Sequence, residues 1–238
     1  MGKILVSVVV PTLNEEKFVD RCLVALRNQT VPRDKYEIIV SDSSSSDSTV
    51  KIAEALADRV AICKRKSAGF GRNYGAKFAK GKYLGFVDAD TIVSRNWVEG
   101  LIDGLDGGIA CTGPAEALEK DSVRLQLFFK MWDFQTKSTV LINYPLIPGF
   151  NIGVRAGAFK KIDGFQEKNI TSEDLDLSIR LGKMGKIIFS EKMAVKTSVR
   201  RLKEDSPIQY ILNGTKFVFF GKSRSWEDHR KDFKLEKE

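Results

Sequence analysis

The first 112 residues switch repeatedly between two hydrophobic periods. Residues 4–10, ILVSVVV, form an almost unbroken β-branched run, the pattern of a strand buried on both faces. Residues 15–28 then place Phe18, Cys22, Leu23 and Leu26 at helical spacing, with Asn14 as the expected N-cap. YEIIVS (36–41) predicts a second strand, and Asp47 is positioned to cap a helix carrying Val50, Ala53, Leu56 and Ala57. VAICK (60–64) reads as a third strand, a glycine-punctuated helix covers about 70–80, and YLGFV (83–87) is a fourth strand. A helix at about 95–104 leads to IACTG at 109–113. Alternation of this kind predicts an α/β fold, a mostly parallel central sheet flanked by helices.

Beyond residue 113 the periods are less regular. Residues 120–137 predict a helix with Leu125, Phe128, Phe129 and Trp132 near one face. NYPLIPGFNIG (143–153), with two prolines and two glycines, reads as a loop. TSEDLDLSIRLGKMG (171–185) predicts a capped helix with Leu175, Ile179 and Leu181 apolar and Gly182 or Gly185 at its end. IIFS and MAVKTSV are β-like, and PIQYILNGTKFVFFG (207–221) is apolar, aromatic and helix-like.

Composition narrows the class. A chain of 238 residues with 42% hydrophobic content suits one large α/β domain with a sizeable core. Cys22, Cys63 and Cys111 lack metal-ligand spacing and sit among apolar residues, so they are expected to be reduced, packed thiols of a cytoplasmic protein. The sequons at Asn28, Asn169 and Asn213 carry no weight without a signal peptide, and MGKILVSVVV reads as a strand rather than a leader. No apolar run approaches the roughly 20 residues of a membrane-spanning helix.

The net charge is +8, and its placement matters more than its sum. Arg59, Lys64, Arg65, Lys66, Arg72, Lys77, Lys80 and Lys82 fall in one stretch, 59–87, that contains no acid. Such a block suggests an anionic partner. It lacks the aromatic interleaving of a nucleic-acid platform, so nucleic acid is not the expected one.

Open parallel sheets bind ligands at the carboxyl ends of their strands. Here those ends read PTLNE, DSSSSD and DAD, all on one expected edge. Residues two apart on an extended segment point the same way, so Asp88 and Asp90 converge. Two close carboxylates repel unless a cation intervenes, and hard oxygen donors suit Mg²⁺ or Mn²⁺ with phosphate and water completing the shell. Asp42 can accept hydrogen bonds from a base or ribose, or from its own turn. Glu15 can meet a ribose hydroxyl or serve as a first-turn charge. Arg72 can reach a phosphate or lock a site carboxylate. Glu173 and Asp174 fit a helix start, where acids are favourable in any case.

Taken in order, PTLNEE, D-x-x-S-x-D-S-T, GFGRNYGAKFAKGKYLGFVDADT and a late ED resemble the family 2 glycosyltransferases of GT-A fold, over roughly residues 4–200. The resemblance implies a nucleotide-diphosphate sugar donor, a divalent metal (Mn²⁺ or Mg²⁺) and inversion at the anomeric carbon. It implies that Pro11, Leu13 and Glu15 border the nucleoside, with Asp42, Ser43, Arg72 and Asp88 also on the nucleotide. It implies Asp90 as the direct metal ligand beside Asp88, Asp174 as general base with Glu173 its neighbour, and Arg200 or Arg201 on phosphate.

Ser43 and Leu13 depart from the family's pattern, which leaves the base of the nucleotide open. No Q-x-x-R-W follows the ED pair, so one sugar per encounter is expected rather than processive synthesis. The domain reading is a single GT-A unit over 1–222, with a nucleotide half at 1–112 and an acceptor half at 113–222, then a charged tail at 223–238. The acceptor is expected to be a glycan or a lipid-linked hydroxyl compound. Residues 207–224 carry aromatic and basic residues suited to peripheral contact at the inner face of a membrane. The rivals are a sugar-phosphate nucleotidyltransferase and a non-catalytic nucleotide-binding adaptor. PTLNEE lacks the basic, glycine-rich loop of the first, and an adaptor has no need of both acid pairs.

Overall fold

A computed structural model describes residues 3–64, 67–119, 123–141, 146–166 and 173–200. In chain order the elements are β1 (Val6–Thr12), α1 (Val19–Arg27), β2 (Tyr36–Asp42), α2 (Thr49–Leu56), β3 (Arg59–Ile62), α3 (Ala68–Ala76) and β4 (Tyr83–Val87). They continue with β5 (Thr91–Val93), α4 (Trp97–Gly107), β6 (Ala110–Thr112), β7 (Ala115–Ala117), α5 (Val123–Leu141) and β8 (Asn151–Arg155). The last are α6 (Ala156–Lys161), α7 (Glu173–Gly182), β9 (Ile187–Phe189) and β10 (Val195–Thr197). A seven-stranded sheet runs β3-β2-β1-β4-β8-β6-β9, and a three-stranded one runs β5-β10-β7.

The unbroken apolar runs become central strands because both faces of the large sheet are covered. Val6, Val8 and Val10 point into one core with Tyr83, Val87 and Trp97. Val9 points into the other, with Leu84, Phe86, Ile152 and Val154. This is the period-2 alternation of a strand with two buried sides. Phe86 packs against Phe159 and Phe165 with ring centroids 5.2 Å apart in each pair. Full burial of one such side chain is worth about 1.5–3 kcal/mol.

Two expectations are corrected. Residues 151–153 are not part of a loop. They open β8, which enters the sheet between β4 and β6 and runs antiparallel to both. The glycines that suggested a loop serve packing instead. Gly85 and Gly153 are paired in register. A Cβ on Gly85 would lie 2.7 Å from the Trp97 ring, and one on Gly153 would lie 2.9 Å from Leu101. The bare pair is the floor on which α4 sits. Asn151 fixes it, accepting from Trp97 Nε1 at 2.9 Å and donating to the carbonyls of Met193 (2.8 Å) and Gly113 (3.2 Å). Asn14 is likewise not a helix cap. It is in the left-handed region (φ 55°), and α1 begins only at Val19. Asp47 does meet the first turn of α2, accepting from the Thr49 N–H at 3.0 Å.

The expected α5 forms, with Phe129 buried. Leu127, Met131, Phe134 and Leu141 remain exposed, so its apolar residues are not confined to the packed side. Cys22, Cys63 and Cys111 are buried, as expected for packed thiols. Among the described residues no helix is long and apolar enough to cross a membrane. Residues 201–238, with the 207–224 segment and the charged tail, lie outside the described residues.

The glycine floor gives a direct test. Gly85→Ala should lower stability by about 1–3 kcal/mol, the usual cost of overpacking a tight core. Urea unfolding followed by tryptophan fluorescence reads this, and an unchanged midpoint would contradict the packing described.

Candidate functional site

β1, β2 and β4 are mutually parallel across β1, so their carboxyl ends share one edge. The first two ends are laced together. Asp42 is fully buried, and its oxygens accept from Thr12 Oγ1 (2.7 Å), Ser45 N (2.7 Å) and Ser45 Oγ (2.6 Å). Asn14 closes the link. Its N–H donates to Ser45 Oγ at 2.8 Å and its Oδ1 accepts from Ser46 N at 2.9 Å. The serines thus shape the rim, and the Asp42 carboxylate acts through them, as a turn aspartate does. Ser43 is buried beside Cys63, with 3.7 Å between Oγ and Sγ. Pro11 and Leu13 lie partly buried at the same edge.

Across this edge Arg72, on α3, is enclosed between two acids. Its Nη2 donates to Asp88 Oδ1 at 2.6 Å and its Nη1 to Glu173 Oε1 at 2.8 Å. The Phe165 ring lies 5.2 Å from the guanidinium. Glycines give it room: a Cβ on Gly69 would fall 2.9 Å from Glu173 Oε2, and one on Gly149 3.0 Å from Arg72 Nη2. Burial alone would favour the neutral form of Arg72, but Asp88 and Glu173 outweigh it and hold the guanidinium charged.

One buried cation faces three carboxylates here: Asp88, Glu173 and Asp174. Burial pushes Glu173 up to about 7, with Asp174 and Asp88 adding to the rise and Arg72 opposing it. Asp174 is raised too, chiefly by burial, against Arg72 and two backbone donors. Those donors are Gly149 N to Oδ2 at 3.0 Å and Leu175 N to Oδ1 at 2.9 Å. They fix the carboxylate at the start of α7.

Asp90 and Glu15 belong to a second arginine. Arg200 Nε donates to Asp90 Oδ2 at 3.1 Å, and its Nη2 reaches both Glu15 oxygens. The guanidinium stacks on Phe18, 4.7 Å from the ring centroid. Arg200 is held charged by Glu15 and Asp90 against the cost of its partial burial.

The acids at this edge make a negative well that a neighbouring group registers. The Cys22 thiol is raised by burial first, then by Asp90, Asp88 and Glu15. Asp88 and Asp90 stand in the turn after β4, where Thr91 N donates to the Asp88 carbonyl at 3.0 Å, rather than on the extended segment expected, and each bonds a different arginine; as hard oxygen donors they still suit a divalent cation. No cluster of three or more His, Cys, Asp or Glu suited to a metal occurs among the described residues. An ion held by the aspartate pair would need donor phosphate oxygens and water in its other positions, as suits Mg²⁺ or Mn²⁺.

The basic block does not act as one surface. Arg72 turns into the site, whereas Arg59, Lys77 and Lys82 lie over Phe78, Tyr74 and Tyr83. Arg65, Lys66 and Arg201 lie outside the described residues. Of the two roles open to Arg72, the carboxylate lock is the one formed. The Gly149 amide, the Phe18 ring and the Thr12 hydroxyl were missed, because nothing in periodicity or spacing marks a residue that meets its partner through the fold.

A family model described as "Glycosyl transferase family 2" matches residues 7–163, more than half of the chain. Glycosyltransferase AglE of Haloferax volcanii is 32% identical over 108 residues, which cover 43% of this chain and 36% of that protein. The chain therefore spans well under half of that relative's length. Among solved structures, S. aureus TarS 1–349 in complex with UDP-GlcNAc superposes with a TM-score of 0.67 at 24% identity, covering 83% of this chain and 59% of that one. Mannosyltransferase PcManGT of Pyrobaculum calidifontis, in complex with GDP-Man and Mn²⁺, gives 0.70 at 20% identity, covering 94% and 67%. Both likenesses establish a common α/β fold of GT-A type.

Removing the buried guanidinium while leaving its acids should be costly. Arg72→Met is expected to destabilise the fold by about 3–5 kcal/mol, since Asp88 and Glu173 lose a buried partner. Chemical denaturation measures it, and a loss below about 1 kcal/mol, the range of an exposed pair, would contradict the burial described.

Proposed function

The chain belongs to glycosyl transferase family 2, and we propose that it is an inverting glycosyltransferase that moves one sugar from a nucleotide-diphosphate sugar to a hydroxyl acceptor. The observation that carries this reading is the chain of contacts Asp88–Arg72–Glu173. It sets the acid pair at the end of β4 beside the start of α7, where Asp174 stands. In this reading a leaving-group side and an acceptor side meet there. Donor complexes of similar folds, with UDP-GlcNAc and with GDP-Man, support a nucleotide-sugar donor here.

In this reading Pro11, Leu13 and Glu15 border the nucleoside, and Asp42 and Ser43 shape the rim beside it. Asp88 and Asp90 would hold Mg²⁺ or Mn²⁺, whose chemistry there is to offset charge on the departing diphosphate. Arg200 and Arg201 are the bases this reading assigns to phosphate. Asp174 accepts the acceptor's hydroxyl proton as the oxygen attacks the anomeric carbon. The new C–O bond forms as the bond to the diphosphate breaks, and the nucleoside diphosphate leaves with the electron pair. Attack opposite the leaving group inverts the centre. Burial helps Asp174, because a raised pKa makes its carboxylate a stronger base.

The acceptor side comprises α5 and the segment at 146–150 that leads to β8. We place the acceptor among glycans and lipid-linked hydroxyl compounds. A peripheral membrane contact through 207–224 would bring the enzyme to the second kind. Flotation with anionic vesicles tests that contact: co-migration is expected, and protein left entirely at the bottom of the gradient refutes it.

Asp174→Asn should keep donor binding, read by calorimetry, and lower transfer by roughly 10²–10⁴-fold. The base must be ionised, so kcat/KM of the wild type should rise with pH through an acid limb above the ordinary aspartate value of 3.8. Normal turnover by the Asn variant would remove Asp174 from the role. Release of nucleoside diphosphate, rather than pyrophosphate, excludes a nucleotidyltransferase.

A further inference from the structure

We propose that Arg200 is a displaceable cation, occupying in the donor-free protein the electrostatic place at Asp90 and Glu15 that metal and nucleotide take over. This rests on reading Asp88 and Asp90 as the metal pair. Both partners of Arg200 are nearly enclosed, with Glu15 8% and Asp90 7% exposed at the side chain. Carboxylates so placed require a counter-charge. Arg200 supplies it through Nε to Asp90 at 3.1 Å and through Nη2 to both oxygens of Glu15.

The two arginines of the site are not equivalent. The Arg72 side chain is 4% exposed, clasped by Asp88 and Glu173. The Arg200 side chain is 32% exposed, the more accessible of the two. Its backbone is anchored independently. Ser198 N donates to the Asp90 carbonyl at 3.2 Å, Ser198 Oγ to Glu119 at 2.6 Å, and Val199 N to Glu119 at 2.9 Å. Rotation of the side chain is therefore enough to release the acids, with the strand end left in place. A guanidinium on Asp90 Oδ2 and a divalent ion on the same carboxylate repel at contact distance, so they compete. Once displaced, Arg200 stays charged and remains within reach of an incoming diphosphate. Phe18, under its plane, keeps the guanidinium stacked while it is docked.

The test titrates Mn²⁺ alone into the full chain, without nucleotide, and reads free Mn²⁺ by electron paramagnetic resonance. Arg200→Gln should bind Mn²⁺ more tightly than the wild type by roughly 5–150-fold, the usual range of coupling between two ligands of one protein. Arg200→Lys, which keeps the charge, should fall nearer the wild type. Thermal melts establish that both variants are folded. Equal or weaker Mn²⁺ binding by folded Arg200→Gln overturns the proposal, and leaves the metal reading standing if Asp90→Asn lowers Mn²⁺ binding in the presence of UDP. Failure of every form to bind Mn²⁺, with or without UDP, removes the metal reading and this inference together.

Discussion

A single buried guanidinium ties the end of β4 to the start of α7. Arg72 is carried by a helix of the first half, yet it binds Asp88 at the end of β4 and Glu173 at the start of α7, 101 residues further along the chain. Buried ion pairs are weak arguments for stability, because desolvation offsets most of the attraction. Their clearer effect is positional: a planar fork with fixed donors accepts few arrangements of its partners. The glycines at 69 and 149 follow from that demand, since a side chain at either would push into the fork. GFGRN and PGFN, two distant and loop-like stretches, thus serve one interaction.

This explains which parts of the molecule were legible in the sequence. β1, β2 and β4 were legible because burial on both faces leaves an unbroken apolar run, and DAD because a charge pair stands out at the end of one. β8 was not, because NIGVR carries the glycine that also marks a turn. That glycine matters only opposite Gly85, beneath Trp97, and no local pattern contains the pairing. Asn14 failed as a cap for a related reason. Its side chain had a better partner in the loop after β2, which lies 32 residues away in sequence and adjacent in space.

The acids of the site illustrate the same limit. The strand ends placed Glu15, Asp42, Asp88 and Asp90 at one edge, and the family resemblance added Glu173 and Asp174, but neither could say what each one faces. Asp42 spends its carboxylate on Thr12 and Ser45. Asp88 is given to Arg72, and Asp90 to Arg200. Six similar charges are thereby sorted into a turn former (Asp42), three acids with arginine partners at the strand ends (Glu15, Asp88 and Asp90), and the Glu173–Asp174 pair on the far side. The sorting depends on which donor reaches which oxygen, a property of the assembled fold.

A glycosyl transfer site of this kind faces opposed electrostatic demands. Positive charge near the diphosphate stabilises its departure, but the same charge lowers the pKa of a nearby carboxylate and weakens it as a base. The arrangement of Arg72 addresses both. Its hydrogen bonds go to Asp88 and Glu173, and Asp174 feels it only across space. Asp174 is held instead by the neutral amides of Gly149 and Leu175, which orient it with less loss of basicity than a direct guanidinium bond would cause. Glu173 takes the direct Arg72 hydrogen bond, and Asp174 still feels the cation across space as the main influence opposing its burial. The companion acid Glu173 thus has a physical task of its own: it takes the guanidinium's direct hydrogen bond, so that Asp174, the proposed base, is oriented by neutral amides instead.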